Sequence, residues 1–238
     1  MVDAIAKRSG GSMTTPGTVG KLILVRHGET EGNVARLLDT RVPGLPLTER
    51  GAAQAKTFGS NLAAAPAVLL SSVALRARQT ASYIEEVTGV SATALEDVHE
   101  VQAGDLEGLA DEDAHRTFQR IYGSWHDGDL GIAVPGGESG ADVLARFIPV
   151  IEDLRDRYLD PVTHTGDVLL VNHGAAMRLV ARTLADIAPP FATTNRLDNT
   201  ETIELVPNAD GSWECVRWGR FVPPFDYARP ASAQPTMG

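Results

Sequence analysis

Arg26-His27-Gly28 follows directly on the apolar run Leu22-Ile23-Leu24-Val25, which sets a guanidinium, an imidazole and a glycine at the carboxyl end of an expected buried strand. Asn172-His173-Gly174 repeats the arrangement behind Val168-Leu169-Leu170-Val171. In open α/β sheets the crevice beyond the strand carboxyl ends is where ligands bind, and a rigid strand holds such a loop accurately. A guanidinium is a fixed fork of donors that matches phosphate oxygens and stays charged at any working pH. An imidazole is a nucleophile when one ring nitrogen is unprotonated, so an acceptor must hold the other N–H while nearby cations disfavour the imidazolium form. Gly28 permits close backbone approach. If the two strands are neighbours, the two histidines meet.

The elements that would position these residues alternate between strand and helix. After the strand at 21–25, Thr48 suits the N-cap of a helix with Ala52, Ala55, Phe58 and Leu62 on one face. A short strand is expected at 67–71 and a helix at 75–87, with Thr80, Tyr83, Ile84 and Val87 in register. The clearest helical period runs over 138–158 through Leu144, Phe147, Ile148, Ile151, Leu154 and Tyr158, and Pro149 inside it removes one backbone donor. A buried strand at 167–171 leads into a helix through Met177, Val180 and Leu184 that Pro189-Pro190 should end. Residues 202–206 and 213–218 alternate around a turn at 208–211, the pattern of a hairpin or two sequential edge strands. This order implies an α/β fold with a mostly parallel central sheet and helices on both faces.

Composition narrows the function classes. The 238 residues are enough for one sizeable core, so residues 21–222 are read as a single domain. Residues 1–20, rich in Gly, Ser and Thr without an apolar h-region, read as a flexible tail rather than a signal peptide. Residues 223–238 read as an irregular C-terminal tail. No run approaches the length of a membrane span. The formal net charge of -10 argues against nucleic acid or an anionic membrane as partner, since both need a basic footprint. It also means that attraction for a phosphorylated substrate must be local, from among Arg26, Arg36, Arg41, Arg76 and Arg78. The single cysteine, Cys215, rules out an intrachain disulfide, points to a cytoplasmic protein and is read as a strand residue without chemistry. His99, His115, His126 and His164 have no metal-ligand spacing, so no metal and no cofactor are expected.

Five segments in order carry a resemblance to a known family. They are Leu24-Val25-Arg26-His27-Gly28-Glu29-Thr30 with Asn33; Pro46-Leu47-Thr48 with Gly51, Gln54 and Ala55; Ser71-Ser72 with Arg76-Ala77, Gln79-Thr80-Ala81; Glu100 with Gly104, Glu107 and Gly108; and Asn172-His173-Gly174. Together they make the chain, over about 21–218, resemble the histidine phosphatase superfamily, the phosphoglycerate mutase-like proteins. The resemblance implies a phosphohistidine mechanism with His27 as nucleophile. It implies that Arg26, Asn33, Arg76 and His173 bind the transferred phosphate. From the residues alone, Glu96, Asp97, Glu100, Asp105 and Glu107 are rivals for the general acid; the family register selects Glu100 and leaves Glu107 a structural or capping role. Thr30 and the turn at 136–139 are expected to border the pocket.

The chain departs from the family pattern in three places. Residues 39–44 replace a stretch that usually borders the substrate, which leaves the substrate's identity open. Asn172 stands where serine is usual. Only 26 residues separate Gly108 from Pro135, whereas mutases of the superfamily carry a long insertion there; a mutase must cover its site to keep water from the phosphohistidine. The leading expectation is therefore a phosphomonoesterase acting on a small phosphorylated metabolite. Phosphoglycerate mutase-type transfer and a non-catalytic phospholigand-binding protein are the alternatives. The sequence leaves oligomeric state open, a homo-oligomer included.

Overall fold

A computed structural model of the chain describes residues 20–159 and 166–225. The tails expected at 1–20 and 223–238 lie outside these residues, apart from Gly20 and 223–225, as does His164. In chain order the elements are β1 (Leu22–Arg26), α1 (Glu31–Val34), α2 (Glu49–Ser60), β2 (Val68–Ser72), α3 (Leu75–Thr88) and β3 (Ala92–Leu95). A single 3-10 turn at Gly104–Leu106 precedes α4 (Glu112–His126) and α5 (Gly140–Tyr158). Then come β4 (Val168–Asn172), α6 (Gly174–Leu184), α7 (Pro189–Thr194), β5 (Thr202–Pro207) and β6 (Trp213–Trp218). The six strands form one sheet in the order β3-β2-β4-β1-β5-β6; the first four are parallel and β5 and β6 antiparallel, as the alternating pattern and the hairpin reading require.

Successive side chains of a strand point to opposite faces, so a central strand covered on both sides must be apolar throughout. Leu22, Leu24, Leu70, Val168 and Leu170 pack into the larger cluster with Trp125, Phe147, Ile151 and Met177 from α4, α5 and α6. Ile23, Val25, Leu69, Leu169 and Val171 face the other way, against Ala77, Ala81 and Ile84 of α3. Cys215 is buried in β6, where burial pushes its thiol up to about 12.

Three helix boundaries and two whole elements differ from the sequence reading. Leu62 falls outside α2, which ends at Ser60. α5 starts at Gly140 because Ser139 caps it, accepting from the Asp142 N–H in a capping box. Pro189-Pro190 opens α7 rather than ending α6, because proline at the first helical position has no orphan N–H to leave unsatisfied. The edge strand β3 and helix α4 had no counterpart in the sequence reading.

The loop after β1 is clamped against helices by the glycines and amides of the motifs. Gly28 N–H donates to Thr80 Oγ1 (3.0 Å), Glu29 N–H to Gln54 Oε1 (2.8 Å) and Leu47 N–H to Gln79 Oε1 (2.9 Å). A Cβ on Gly51 would lie 2.0 Å from the Glu29 carbonyl oxygen, and one on Gly28 2.5 Å from the Gly51 carbonyl oxygen. Neither neighbour is a flexible side chain, so backbone would have to move.

Two alanine substitutions should therefore have opposite signs. Gly51→Ala should destabilise the fold by about 1–3 kcal/mol, the usual range for overpacking. Gly123→Ala, on α4 with nothing within 4 Å of the added carbon, should stabilise it by about 0.5–1 kcal/mol through helix propensity. Urea midpoints of the two variants check this, and a stabilised Gly51→Ala would contradict the close approach.

Candidate active site

The parallel pairing of β1 with β4 sets Arg26 opposite Asn172, and His27 N–H donates to the Asn172 carbonyl at 3.0 Å. The next residues along both strands are the two histidines, whose ring centroids stand 5.3 Å apart. His27 Nδ1 lies 2.7 Å from the Gly28 carbonyl oxygen, a fixed acceptor, so Nδ1 carries the proton and Nε2 the lone pair. Burial, then Arg76, then Arg26 lower its pKa well below the ordinary value, against the Gly28 hydrogen bond. His173 is buried, with Nε2 2.9 Å from Ser72 Oγ, and burial followed by the charges of Arg76 and His27 lowers its pKa too.

Arg76 sits in the first turn of α3, held there because Ala74 starts the helix at the end of β2. Its Nη1 lies 3.6 Å from Asp39 Oδ2, and Arg26 Nη1 donates to the Leu197 carbonyl at 2.6 Å. Burial lowers both guanidinium pKa values, countered at Arg26 by Glu100 and at Arg76 by Asp39 and Glu100. From an ordinary value above about 12 both remain charged. Three buried nitrogens of this group have no hydrogen-bond partner: Arg26 Nε, Arg76 Nη1 and His173 Nδ1. An unpartnered buried donor is costly, and the arrangement fits an anion that completes the set.

Glu100 lies at the N-terminus of α6. Its Oε1 accepts from Val101 N–H (2.9 Å) and Ala176 N–H (2.8 Å), and Oε2 accepts from Ala175 N–H (3.0 Å), where helix-end donors favour a negative charge. The segment that carries it is held by Arg146, which donates to the carbonyls of Asp97, His99 and Glu100 and pairs with Glu138. Asn33 Oδ1 accepts from Thr30 N–H and from Asn199 Nδ2, which also donates to the His27 carbonyl; the Asn33 amide is thereby fixed with its NH2 turned away from both.

A cavity of about 250 Å³ joins these groups, lined by Arg26, His27, Thr30, Asn33, Asp39, Arg76 and Glu100 at one end. His173 is not among the lining residues. Leu37, Leu38, His115, Phe118, Gln119 and Tyr122 also line it, as do Arg178, Arg196 and Leu197, the last with its carbonyl on Arg26 Nη1. Of the five candidate arginines only Arg26 and Arg76 reach the cavity. Arg36 is exposed and pairs with Glu112, Arg41 is exposed, and Arg78 borders a different depression on α3. The turn at 136–139 does not line the cavity. Glu107 accepts from Thr40 N–H, Thr40 Oγ1 and Arg41 N–H, a tether for the loop that bears Asp39. Sequence reasoning missed Asn199, Arg178 and Arg196, as well as the α4 side chains. Among the described residues, no group of three or more His, Cys, Asp or Glu side chains is placed to hold a metal ion. No described helix is long and apolar enough to cross a membrane.

A family profile described as histidine phosphatase superfamily (branch 1) matches residues 22–220. The chain is 37% identical over 167 residues to the adenosylcobalamin/alpha-ribazole phosphatase of Salmonella typhimurium, covering 69% of this chain and 79% of that protein. It is 36% identical over 172 residues to a 2,3-bisphosphoglycerate-dependent phosphoglycerate mutase of Chelativorans sp., covering 69% and 81%. It is 28% identical over 206 residues to PE-PGRS family protein PE_PGRS11 of Mycobacterium tuberculosis; the match takes in 82% of this chain and about a third, 35%, of that protein's length. Its fold matches a mycobacterial glucosyl-3-phosphoglycerate phosphatase solved in complex with VO3, with a TM-score of 0.72 at 26% identity over 84% of this chain and 98% of that one.

The buried histidines make stability depend on pH in a stated direction. The unfolded chain takes up protons at these sites below about pH 6.5, whereas folded His27 and His173 resist, and folded His126 does so down to about 3. With more protons bound in the unfolded state, stability falls as pH drops from 6.5 towards the folded pKa values, by up to about 1.4 kcal/mol per pH unit for each such histidine. The urea midpoint should therefore be lower at pH 5 than at pH 7, and the slope should flatten in His126→Leu. A midpoint unchanged over that interval would show that the histidines titrate normally.

Proposed function

The chain belongs to the histidine phosphatase superfamily, and on that premise we propose that it is a phosphomonoesterase that hydrolyses a small phosphorylated metabolite through a phosphohistidine on His27. The observation that carries the proposal is the set of unpartnered buried nitrogens on Arg26, Arg76 and His173, gathered beside an imidazole whose Nδ1 proton is already committed to Gly28. Residues 21–222 act on this reading as one catalytic domain.

In the first step His27 Nε2 attacks phosphorus; the N–P bond forms as the ester P–O bond breaks. Arg26, Arg76, the Asn33 NH2 and His173 hold the non-bridging oxygens and balance the charge that develops on them. Glu100, entering this step protonated, gives its proton to the departing alkoxide and is left as the carboxylate that the Val101, Ala175 and Ala176 N–H groups stabilise. In the second step Glu100 takes a proton from water, the water oxygen bonds to phosphorus, the N–P bond breaks, and inorganic phosphate leaves with His27 restored. A histidine held unprotonated by burial and two cations is competent for attack near neutral pH without a separate base.

Relatives named as mutases are about as similar to this chain as those named as phosphatases. What favours hydrolysis is the brevity of 109–134: it supplies one helix, α4, beside the cavity. A non-catalytic binding protein would have no use for a carboxylate and a free imidazole nitrogen at the same anion site.

Two variants test the roles. His27→Ala should lower kcat for phosphate release by about 10³-fold or more, with circular dichroism unchanged; activity within tenfold of the parent would remove His27 as the nucleophile. Glu100→Gln should slow phosphoenzyme formation from an alkyl phosphate by about 10²- to 10⁴-fold while slowing that from nitrophenyl phosphate far less, since the latter leaving group departs without a proton. Rapid quench reads this step directly. Equal slowing for both substrates would transfer the acid's role to another carboxyl group. Assaying 3-phosphoglycerate isomerisation beside phosphate release separates phosphatase from mutase.

A further inference from the structure

The cavity continues beyond the anion-binding end, and the continuation has a different chemistry. One face of α4 lines it, at the i, i+3, i+4 and i+7 positions that begin with His115. Phe118 and Tyr122 on that face lie stacked, centroids 6.1 Å apart and planes within 9°. Leu37 and Leu38 of the loop after α1 and Leu197 of the loop after α7 line the same space.

Apart from Gln119, the polar groups that line this part of the cavity are mostly engaged. The Tyr122 hydroxyl donates to the Ala175 carbonyl (2.9 Å), and His115 Nε2 is 2.8 Å from the Arg36 carbonyl oxygen. Arg178 donates to the carbonyls of Gly174 and Ala192, and its guanidinium covers the Tyr122 ring at 5.0 Å. Arg196 is exposed at the rim, where a charge pair contributes about 0–1 kcal/mol. Covering the apolar surface of Phe118, Leu37, Leu38 and Leu197 is the larger effect available to a ligand here.

Resting on the phosphomonoesterase reading, we infer that the leaving group is an alcohol bearing a flat apolar ring, seated against Phe118 and the leucines, in preference to a small alcohol bearing a second negative charge. The phosphate end fixes which bond breaks. The α4 end selects what the phosphate is attached to.

Binding of non-hydrolysable phosphonates tests this apart from turnover. Titration calorimetry on the full chain compares phenethylphosphonate, ethylphosphonate and 3-phosphonopropionate, which share the phosphonate and differ in ring or carboxylate. The phenethyl compound should bind at least about tenfold tighter than the ethyl compound, with the carboxylate compound within about threefold of ethyl. Phe118→Ala should reduce the phenethyl-to-ethyl ratio below about threefold. Because Phe118 also packs against the main core, Phe118→Leu serves as the milder variant and should give an intermediate ratio. Equal affinities, tightest binding of the carboxylate compound, or binding of none overturns the inference. Phosphate release from phenethyl phosphate is scored separately: its absence with the binding preference intact would refute hydrolysis and leave the ring preference standing.

Discussion

Everything at the site depends on β1 and β4 being parallel neighbours in one register. Parallel strands end on the same side, so Arg26 opposite Asn172 puts the two following residues, His27 and His173, at one edge of the sheet. A shift of one residue would turn the side chains of a strand to opposite faces. That shift is resisted because both faces are packed: Leu24 and Leu170 belong to one cluster, Val25 and Val171 to the other. The apolar runs that read as buried strands are thus also what fixes the spacing of the imidazoles. Thr80 and Gln54 then hold the loop after β1 from outside, and Gln79 holds Leu47, the bridge partner of Thr30, so a segment without regular structure is positioned by two helices and a strand.

Holding cations in such a place has a cost, and the chain meets it locally. Burial works against the charge on Arg26 and Arg76, while Glu100 and Asp39 offset it. Glu100 is in turn satisfied by three backbone N–H donors, two of them from the first turn of α6. The compensation is incomplete, since three buried nitrogens of the site stay unpartnered. A folded protein tolerates such a deficit where a ligand removes it. A chain of net charge -10 can still attract a phosphate because its positive potential is concentrated in a cleft, where low-dielectric walls reduce screening.

The parts of this arrangement legible in the sequence were those that obey short-range rules. Strand cores show as apolar runs, α2 as a Thr48 cap before a periodic segment, and α5 as a sustained period of apolar positions. That Arg26, His27, Asn33, Arg76 and Glu100 share one cavity was legible because these residues sit at strand or helix ends in recognisable order. α4 was missed although signals exist: Asp111 caps it, Glu112 and Asp113 follow, and Ala114, Phe118, Ile121, Tyr122 and Trp125 repeat at helical spacing. Gly123 and the flanking glycines and charges obscure that period. β3 is only four residues, half of them exposed, and gains its strand character from pairing with β2 rather than from its own pattern. Arg178 and Arg196 reach the cavity, and Asn199 reaches Asn33 and the His27 carbonyl, from loops and helix faces whose placement depends on α7, which the Pro189-Pro190 reading treated as a terminator.

α4 joins the two halves of the molecule's chemistry. Ile121 and Trp125 anchor it in the main core, the Trp125 indole donating to the Ile132 carbonyl, while Phe118 and Tyr122 turn towards the cavity. Because the helix is held by its buried face, the residues on its cavity face can vary without disturbing Arg26, His27, Arg76 or Glu100, none of which lies on α4. Phe118, which also packs against the main core, is one exception and Tyr122 the other. Its hydroxyl reaches the Ala175 carbonyl, one residue into the helix end that binds Glu100, and burial pushes its pKa up to about 12, so it stays a neutral donor. The cavity-facing side chains of α4 are therefore structurally separate from Arg26, His27, Arg76 and Glu100, with Tyr122 as the contact through which the two remain mechanically linked.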